Sequence, residues 1–138
     1  MPYYQFTVTA GSPSARRKKE IAEAITKAHC EVTGAPEHYV NCSFTEVPAD
    51  AIWQGGKELP GARMVGVIRR RDESITRELL LALGHAWADA TGEPFDAAVM
   101  ALIAVPGYQA LENGALLGEA EDDPLLQIRP LQSGTGPI

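Results

Sequence analysis

The sequence predicts an α/β (α+β) fold in which two tandem β-α-β units build a four-stranded sheet with both helices on one face. Three observations carry this: an internal repeat, alternating apolar positions that mark strands, and helical apolar spacing between them. Offset by 58 residues, TGAPEHYVNCSFTEVPADAIWQGG (33–56) falls on TGEPFDAAVMALIAVPGYQALENG (91–114) without a gap. Thr33, Gly34, Pro36, Pro48 and Gly56 meet Thr91, Gly92, Pro94, Pro106 and Gly114. Upstream, Glu20, Ala24 and Ala28 meet Glu78, Ala82 and Ala86. Chance does not align chain breakers and helix residues together, so one supersecondary unit occurs twice.

The elements follow in order. Tyr4, Phe6 and Val8 alternate with polar neighbours, as a half-buried strand does. Ser12-Pro13-Ser14 is a helix start, and Ile21, Ala24, Ile25, Ala28 and Val32 recur at helical spacing until Gly34 and Pro36 stop the helix. Val40, Cys42 and Phe44 return to a period of two. In the second copy a strand is expected over Val65 to Arg69, and a helix over Ser74 to Ala90 with Leu79, Leu83, Ala86 and Ala90 on one face. Val99 to Val105 is nearly continuously apolar, which predicts a strand in the middle of the sheet. Parallel pairing within each unit puts both helices on one face. The other face needs a cover, and after Gly114 only about 24 residues remain. Other subunits are the expected cover. We divide the chain into one domain, 1–114, with repeats at about 2–56 and 60–114. Residues 115–138 form an extension, expected to be partly flexible or packed on a neighbouring subunit.

At 138 residues and 45% hydrophobic content, the chain suits one globular domain. Its net charge of −6 argues against nucleic acid and anionic membranes as partners, and Arg69-Arg70-Arg71 is too short a run to reverse that. No apolar stretch matches a membrane span, and the start lacks a signal-peptide pattern, so a cytoplasmic location is expected. Cys30 and Cys42 have neither CxxC spacing nor a histidine cluster, which reads as buried thiols rather than a bridge or metal site. No metal or other cofactor is predicted. Trp53 and Trp87 read as core or interface aromatics, and His38 and His85 receive no role.

The opening MPYYQFTVT raises a chemical possibility. Initiator Met is removed when a small residue follows, and Pro2 qualifies. The product has a secondary amine in front of a strand. An α-amino group titrates at about 7.7 to 8.0, and an apolar pocket lowers that further, so such an amine can exchange protons near neutral pH. If Met1 stays, Pro2 nitrogen is an amide and the mechanism fails.

A proline-first β-α-β unit of about 60 residues, duplicated in one chain, resembles the tautomerase superfamily and more closely its cis-3-chloroacrylic acid dehalogenase-like group. The resemblance covers Pro2 to about Gly114. His29 stands 27 residues after Pro2 in AITKAH, followed by TG; Gly55-Gly56 follows the second strand; and Pro106, Glu112 and Gly114 keep the spacing seen beyond the fourth strand. The resemblance implies Pro2 and Glu112 as catalytic residues, His29 with Arg69 or Arg71 as substrate-binding residues, and assembly as a homotrimer. Gap placement leaves Arg69 and Arg71 as alternatives, and strand alternation puts both on the side opposite Arg70. Two departures stand out. A second family arginine falls on Ser74, and the family tyrosine that orients water falls on Ala101, with Tyr3, Tyr4 and Tyr108 as candidate substitutes.

A small carboxylate beside a carbonyl or double bond suits these parts. Arginine and histidine clamp the carboxylate and developing enolate, and Pro2 moves the proton. A tautomerase of a 2-keto or enol carboxylate is therefore expected first. The alternative is a cofactor-free hydratase or dehalogenase of 3-haloacrylate-like acids, with Glu112 activating water. A third possibility is a trimeric binding protein that has lost its chemistry. Each residue also has a plainer account: the arginine run as a charged strand end that discourages aggregation, Glu112 as a turn carboxylate, His29 as a satisfied structural residue.

Overall fold

In a computed structural model that describes residues 1–124, two strand–helix–strand units lie side by side in one sheet. The first comprises β1 (Tyr3–Thr9), α1 (Pro13–Arg16), α2 (Lys18–Thr33) and β2 (Asn41–Val47), closed by a hairpin of β3 (Trp53–Gln54) and β4 (Lys57–Glu58). The second comprises β5 (Ala62–Arg69), α3 (Glu73–Thr91) and β6 (Met100–Val105), closed by β7 (Leu111–Glu112) and β8 (Ala115–Leu116). The sheet order is β2-β1-β5-β6. β1 pairs parallel with β2, β5 parallel with β6, and the units join through antiparallel β1 and β5.

The sequence repeat is also a repeat of local bonding. Both main helices end on a left-handed glycine, Gly34 at φ 78° and Gly92 at φ 77°. Just before each, a threonine hydroxyl bonds back one turn within its helix: Thr33 Oγ1 to His29 O and Thr91 Oγ1 to Trp87 O, each 2.8 Å. A proline-led 3-10 turn follows in both units, at Glu37–Tyr39 and Phe95–Ala97. The two hairpins also correspond. Their turns need positive φ at both central residues, met by Gly55 (61°) and Gly56 (78°) in one and by Asn113 (54°) and Gly114 (79°) in the other.

Even-numbered residues of β1 and β5 (Tyr4, Phe6, Val8, Ala62, Met64 and Ile68) face the helices and are buried with Ile21, Ile25, Leu79, Leu83 and Trp87. The helix expected to start at Ser12-Pro13-Ser14 does start there, with Ser12 capping Ala15 N, but it breaks at Arg17 into α1 and α2. Ser14 is buried because its hydroxyl accepts from Trp87 Nε1 at 2.9 Å. Trp87 is thus a core residue, whereas Trp53 is 54% exposed on its hairpin.

One expectation is overturned. The apolar run of β6 predicted a central strand, but β6 is an edge and β1 and β5 are central. Apolar content reports how much of a strand avoids water, not how many strands flank it. Here one face of β6 packs on α3 while the other stays open, with Ile103 52% exposed. Tyr3 and Val65 continue that open apolar face across the sheet.

Candidate active site

Short connections bring several charged groups to one end of the sheet, where β1 begins and β5 ends. Pro2 is buried at the mouth of β1, and its carbonyl accepts from Asn41 N and from Asn41 Nδ2 (3.1 and 3.2 Å) at the start of β2. The same Asn41 amide reaches Glu112 Oε2 at 3.1 Å. Glu112 lies on β7, and its Oε1 pairs with the Met1 amino group. Burial pushes the Glu112 carboxyl up, but hydrogen bonds from the amino terminus and Asn41 outweigh it and hold the pKa below the usual carboxylate range. Beside this cluster lies a cavity of about 380 Å³ between Met1, Tyr3, Asn41, Ser43, Leu111 and Glu112.

His29 is on the inner face of α2, fully buried, with Nδ1 2.7 Å from the Tyr4 hydroxyl. Burial first, then the positive charges of Arg71, the amino terminus and Arg69, hold its pKa down at about 3. Arg71 follows the end of β5. Burial and the charge of Arg69 bring its pKa down to about 10, partly offset by Tyr4 and Asp123, so it stays charged at neutral pH. His29 Nε2 and Arg71 Nε and Nη1 are buried without a hydrogen-bond partner among the described residues. Buried donors normally have partners, and leaving one unmet costs about 1–3 kcal/mol, more for a charged group. Such a set suits an anionic guest.

Arg69 is differently engaged. Its side chain is 1% exposed, and Nη2 pairs with Asp123 Oδ2 at 3.1 Å, while Nη1 donates to Leu117 O and Gly118 O at 3.4 and 3.3 Å. Tyr39 also donates its hydroxyl to Asp123 Oδ2 at 3.1 Å. Arg70, exposed, makes a bidentate pair with Glu119 (2.9 and 3.0 Å). These bonds strap residues 117–123 over the sheet end. The fit is close at Gly107, where a Cβ would sit 1.6 Å from Gly118 O. The described part of the extension therefore packs on its own chain; the rest of it, 125–138, lies outside the described residues.

The fold agrees with comparisons to known proteins. The profile of the Tautomerase_3 family, oxalocrotonate tautomerase-like proteins, matches residues 1–87. The chain belongs to this tautomerase family. Among solved structures it resembles N1, a member of the cis-3-chloroacrylic acid dehalogenase (cis-CaaD) family, at 26% identity and TM-score 0.78, covering 86% of this chain and 85% of that one. It also resembles native fused 4-OT (25% identity, TM-score 0.74, 83% and 94% covered). An F6 fused 4-OT asymmetric trimer, at 20% identity, TM-score 0.74 and the same coverage, shares the fold. No curated protein matches.

Within this member of the tautomerase family, the structure gathers Pro2, His29, Arg71 and Glu112 at one sheet end and gives Arg69 to the strap. Alternation, which placed Arg69 and Arg71 on one side, ends with the strand at Arg69. Sequence reasoning missed Asn41, Tyr39, Glu119 and Asp123; their contacts join segments 39 to 84 residues apart, and no local pattern announces them. Of the three tyrosines offered as substitutes at Ala101, Tyr4 is committed to His29, Tyr108 is 64% exposed beside Arg70, and Tyr3 bonds Ser43 at the cavity edge. A larger groove, about 760 Å³, runs between the outer faces of α2 and α3 and contains none of the predicted site residues. No described helix is long and apolar enough to cross a membrane.

The buried histidine has a consequence for stability. Its folded pKa lies well below the unfolded value of about 6.5, so between those values the unfolded chain binds the extra proton. Stability is complete above pH 6.5 and falls as pH drops, by about 1.4 kcal/mol per unit for this group alone. Urea unfolding at pH 7.0 and 5.5 should show that loss, and His29→Gln should shrink it. An unchanged slope in the variant would remove His29 as its source.

Proposed function

We propose that this protein is a proline-dependent tautomerase of small 2-keto or enol carboxylates, acting from Pro2 once Met1 is removed. The observation that carries this is the trio of buried nitrogens on His29 and Arg71, without a partner among the described residues, beside the amino-terminal end of β1. A carboxylate supplies the acceptors they lack, and the guanidinium can grip it in bidentate fashion. In ketonisation the Pro2 amine takes the proton of the enol O–H, the O–H electron pair becomes the C=O π bond, and the C=C electrons form a new C–H bond with the proton the amine returns to the adjacent carbon. His29 and Arg71 hold the negative charge that develops on oxygen. Removing Met1 also frees the Glu112 carboxylate from the Met1 amine and leaves it near the new one.

Glu112 favours a second reading, hydration or dehalogenation of a 3-haloacrylate. A carboxylate held ionised by Asn41 is equipped to draw a proton from attacking water, and its charge near the amine favours the protonated, acid form of Pro2. With alanine at 101, the water has one fewer orienting partner, so tautomerisation ranks first. The test uses protein whose mass shows Met1 absent, assayed with phenylpyruvate enol, 2-hydroxymuconate and cis- and trans-3-haloacrylates. Pro2→Ala should lower ketonisation while melting is unchanged. Glu112→Gln should cost under tenfold in ketonisation but most of any haloacrylate hydrolysis, since a positioned general base contributes about 10² to 10⁴ in rate. A native preference for haloacrylate that Glu112→Gln abolishes would reverse the ranking.

The working form is proposed to be a homotrimer. The open sheet face carries Tyr3, Val65 and Ile103, and a neighbour of the same fold is described as a trimer. Sedimentation at micromolar concentration should give three times the chain mass, and a monomer would overturn the assembly.

A further inference from the structure

We propose that Tyr4 is a positioning residue that sets the tautomer of His29, so that Nε2 carries the hydrogen and is presented as a donor. For its consequence in turnover, this rests on the proposed carboxylate site; for the tautomer itself it does not.

The placement begins with a cross-strand pair. Tyr4 on β1 lies opposite Gly66 on β5, and its ring covers the glycine so closely that a Cβ there would sit 2.6 Å from Tyr4 Cδ1. No other residue leaves that room. The ring meets the imidazole edge-on, with centroids 5.8 Å apart at 68°, and its hydroxyl reaches Nδ1 at 2.7 Å. Both side chains are fully buried, so water does not compete for this bond.

Chemistry decides the direction of the bond. Burial raises the Tyr4 phenol above its ordinary pKa, and the imidazole stays neutral at pH 7, so the pair shares two hydrogens. In a neutral imidazole one nitrogen donates and the other accepts. If the phenol donates to Nδ1, one bond satisfies both groups there and the hydrogen is left on Nε2, which is buried without a partner among the described residues. The reverse arrangement leaves the phenol hydrogen needing a second acceptor in a buried setting. It also turns an Nε2 lone pair toward any carboxylate, which repels it. Tyr4 thus fixes the tautomer of His29, as a carboxylate or carbonyl partner does for other histidines, but because it donates where they accept, it leaves the hydrogen rather than the lone pair on the far nitrogen.

The test reads the tautomer directly. Nitrogen-15 NMR of uniformly labelled protein, with His29 assigned through its absence in His29→Gln, should show Nε2–H alone from pH 8 to pH 5. Tyr4→Phe keeps the ring over Gly66 and removes only the hydroxyl. It should give a mixture of tautomers, a KM for phenylpyruvate enol raised about tenfold, the size of one hydrogen bond, and a kcat changed under threefold. An Nδ1–H tautomer in the native protein overturns the proposal, as does an Nε2–H tautomer that persists unmixed in Tyr4→Phe. If that variant fails to fold, the native spectrum alone decides. A native protein with the expected tautomer that turns over none of the acids would sink the tautomerase reading and leave the Tyr4 inference standing.

Discussion

Replacing Arg71 with alanine is expected to lower kcat/KM for a small 2-keto or enol carboxylate by about 10² to 10³, carried mainly by KM. Truncating one partner of a buried, hydrogen-bonded charge pair costs about 2–5 kcal/mol, and each 1.4 kcal/mol is tenfold. Arg71 has Nε and Nη1 buried without a partner among the described residues, whereas Arg69 leaves only Nε so and spends both terminal nitrogens on Asp123 and two carbonyls, and the Arg70 guanidinium is spent on Glu119. Arg70→Ala should therefore stay within threefold of the native rate. Arg71→Lys should recover little, because an ammonium cannot reproduce a fork of donors. Single-turnover binding and steady-state kinetics on the three variants would check the order. A larger KM effect at Arg69 than at Arg71, with folding intact, would move the carboxylate to the other arginine.

Asp123→Ala should be the most destabilising single change among the charged residues, by about 3–5 kcal/mol, because it leaves the Arg69 charge buried and uncompensated. The Arg69 side chain is 1% exposed and Asp123 13%, so water cannot easily take the missing role. Tyr39 loses an acceptor in the same step. The double variant Arg69→Met with Asp123→Ala should regain much of the loss, since an apolar chain of similar length carries no charge to strand. Urea unfolding of the two variants measures both numbers. A double variant no more stable than Asp123→Ala would show that the strap, rather than the stranded charge, carries the energy.

The parts of this fold that were legible are those written in local pattern. Apolar spacing over Ile21, Ile25, Leu79 and Leu83 marked the helix faces, and the 58-residue register marked the duplication, down to matched glycine caps. The hairpins were available too: Asn113-Gly114 is a strong signal for a two-residue turn, yet the flanking strands have two residues each and show no alternation to read. The position of β6 was not legible, because an apolar strand at an open edge and one at the centre look alike in one chain. At the candidate site, the family resemblance carried by the spacing of Pro2, His29 and Glu112 named them as candidates. The Arg69–Asp123 pair and the Tyr4–His29 bond were not, since each joins residues whose proximity exists only after the sheet has formed.

The duplication also accounts for a single candidate site in each chain. The register that relates the two units carries Pro2 onto Pro60, His29 onto Trp87, Asn41 onto Val99 and Glu112 onto Gln54. At that pseudo-dyad mate the proline nitrogen is acylated by Leu59 and has no basicity, the indole is spent on Ser14, and the acid has become an amide. Two identical units would have to keep every residue fit for both chemistry and architecture. Fused copies are released from that compromise: one end is free to carry the proposed chemistry while its twin serves as scaffold. The twin end is then the natural place to accept new side chains, since change there leaves the reactive end untouched.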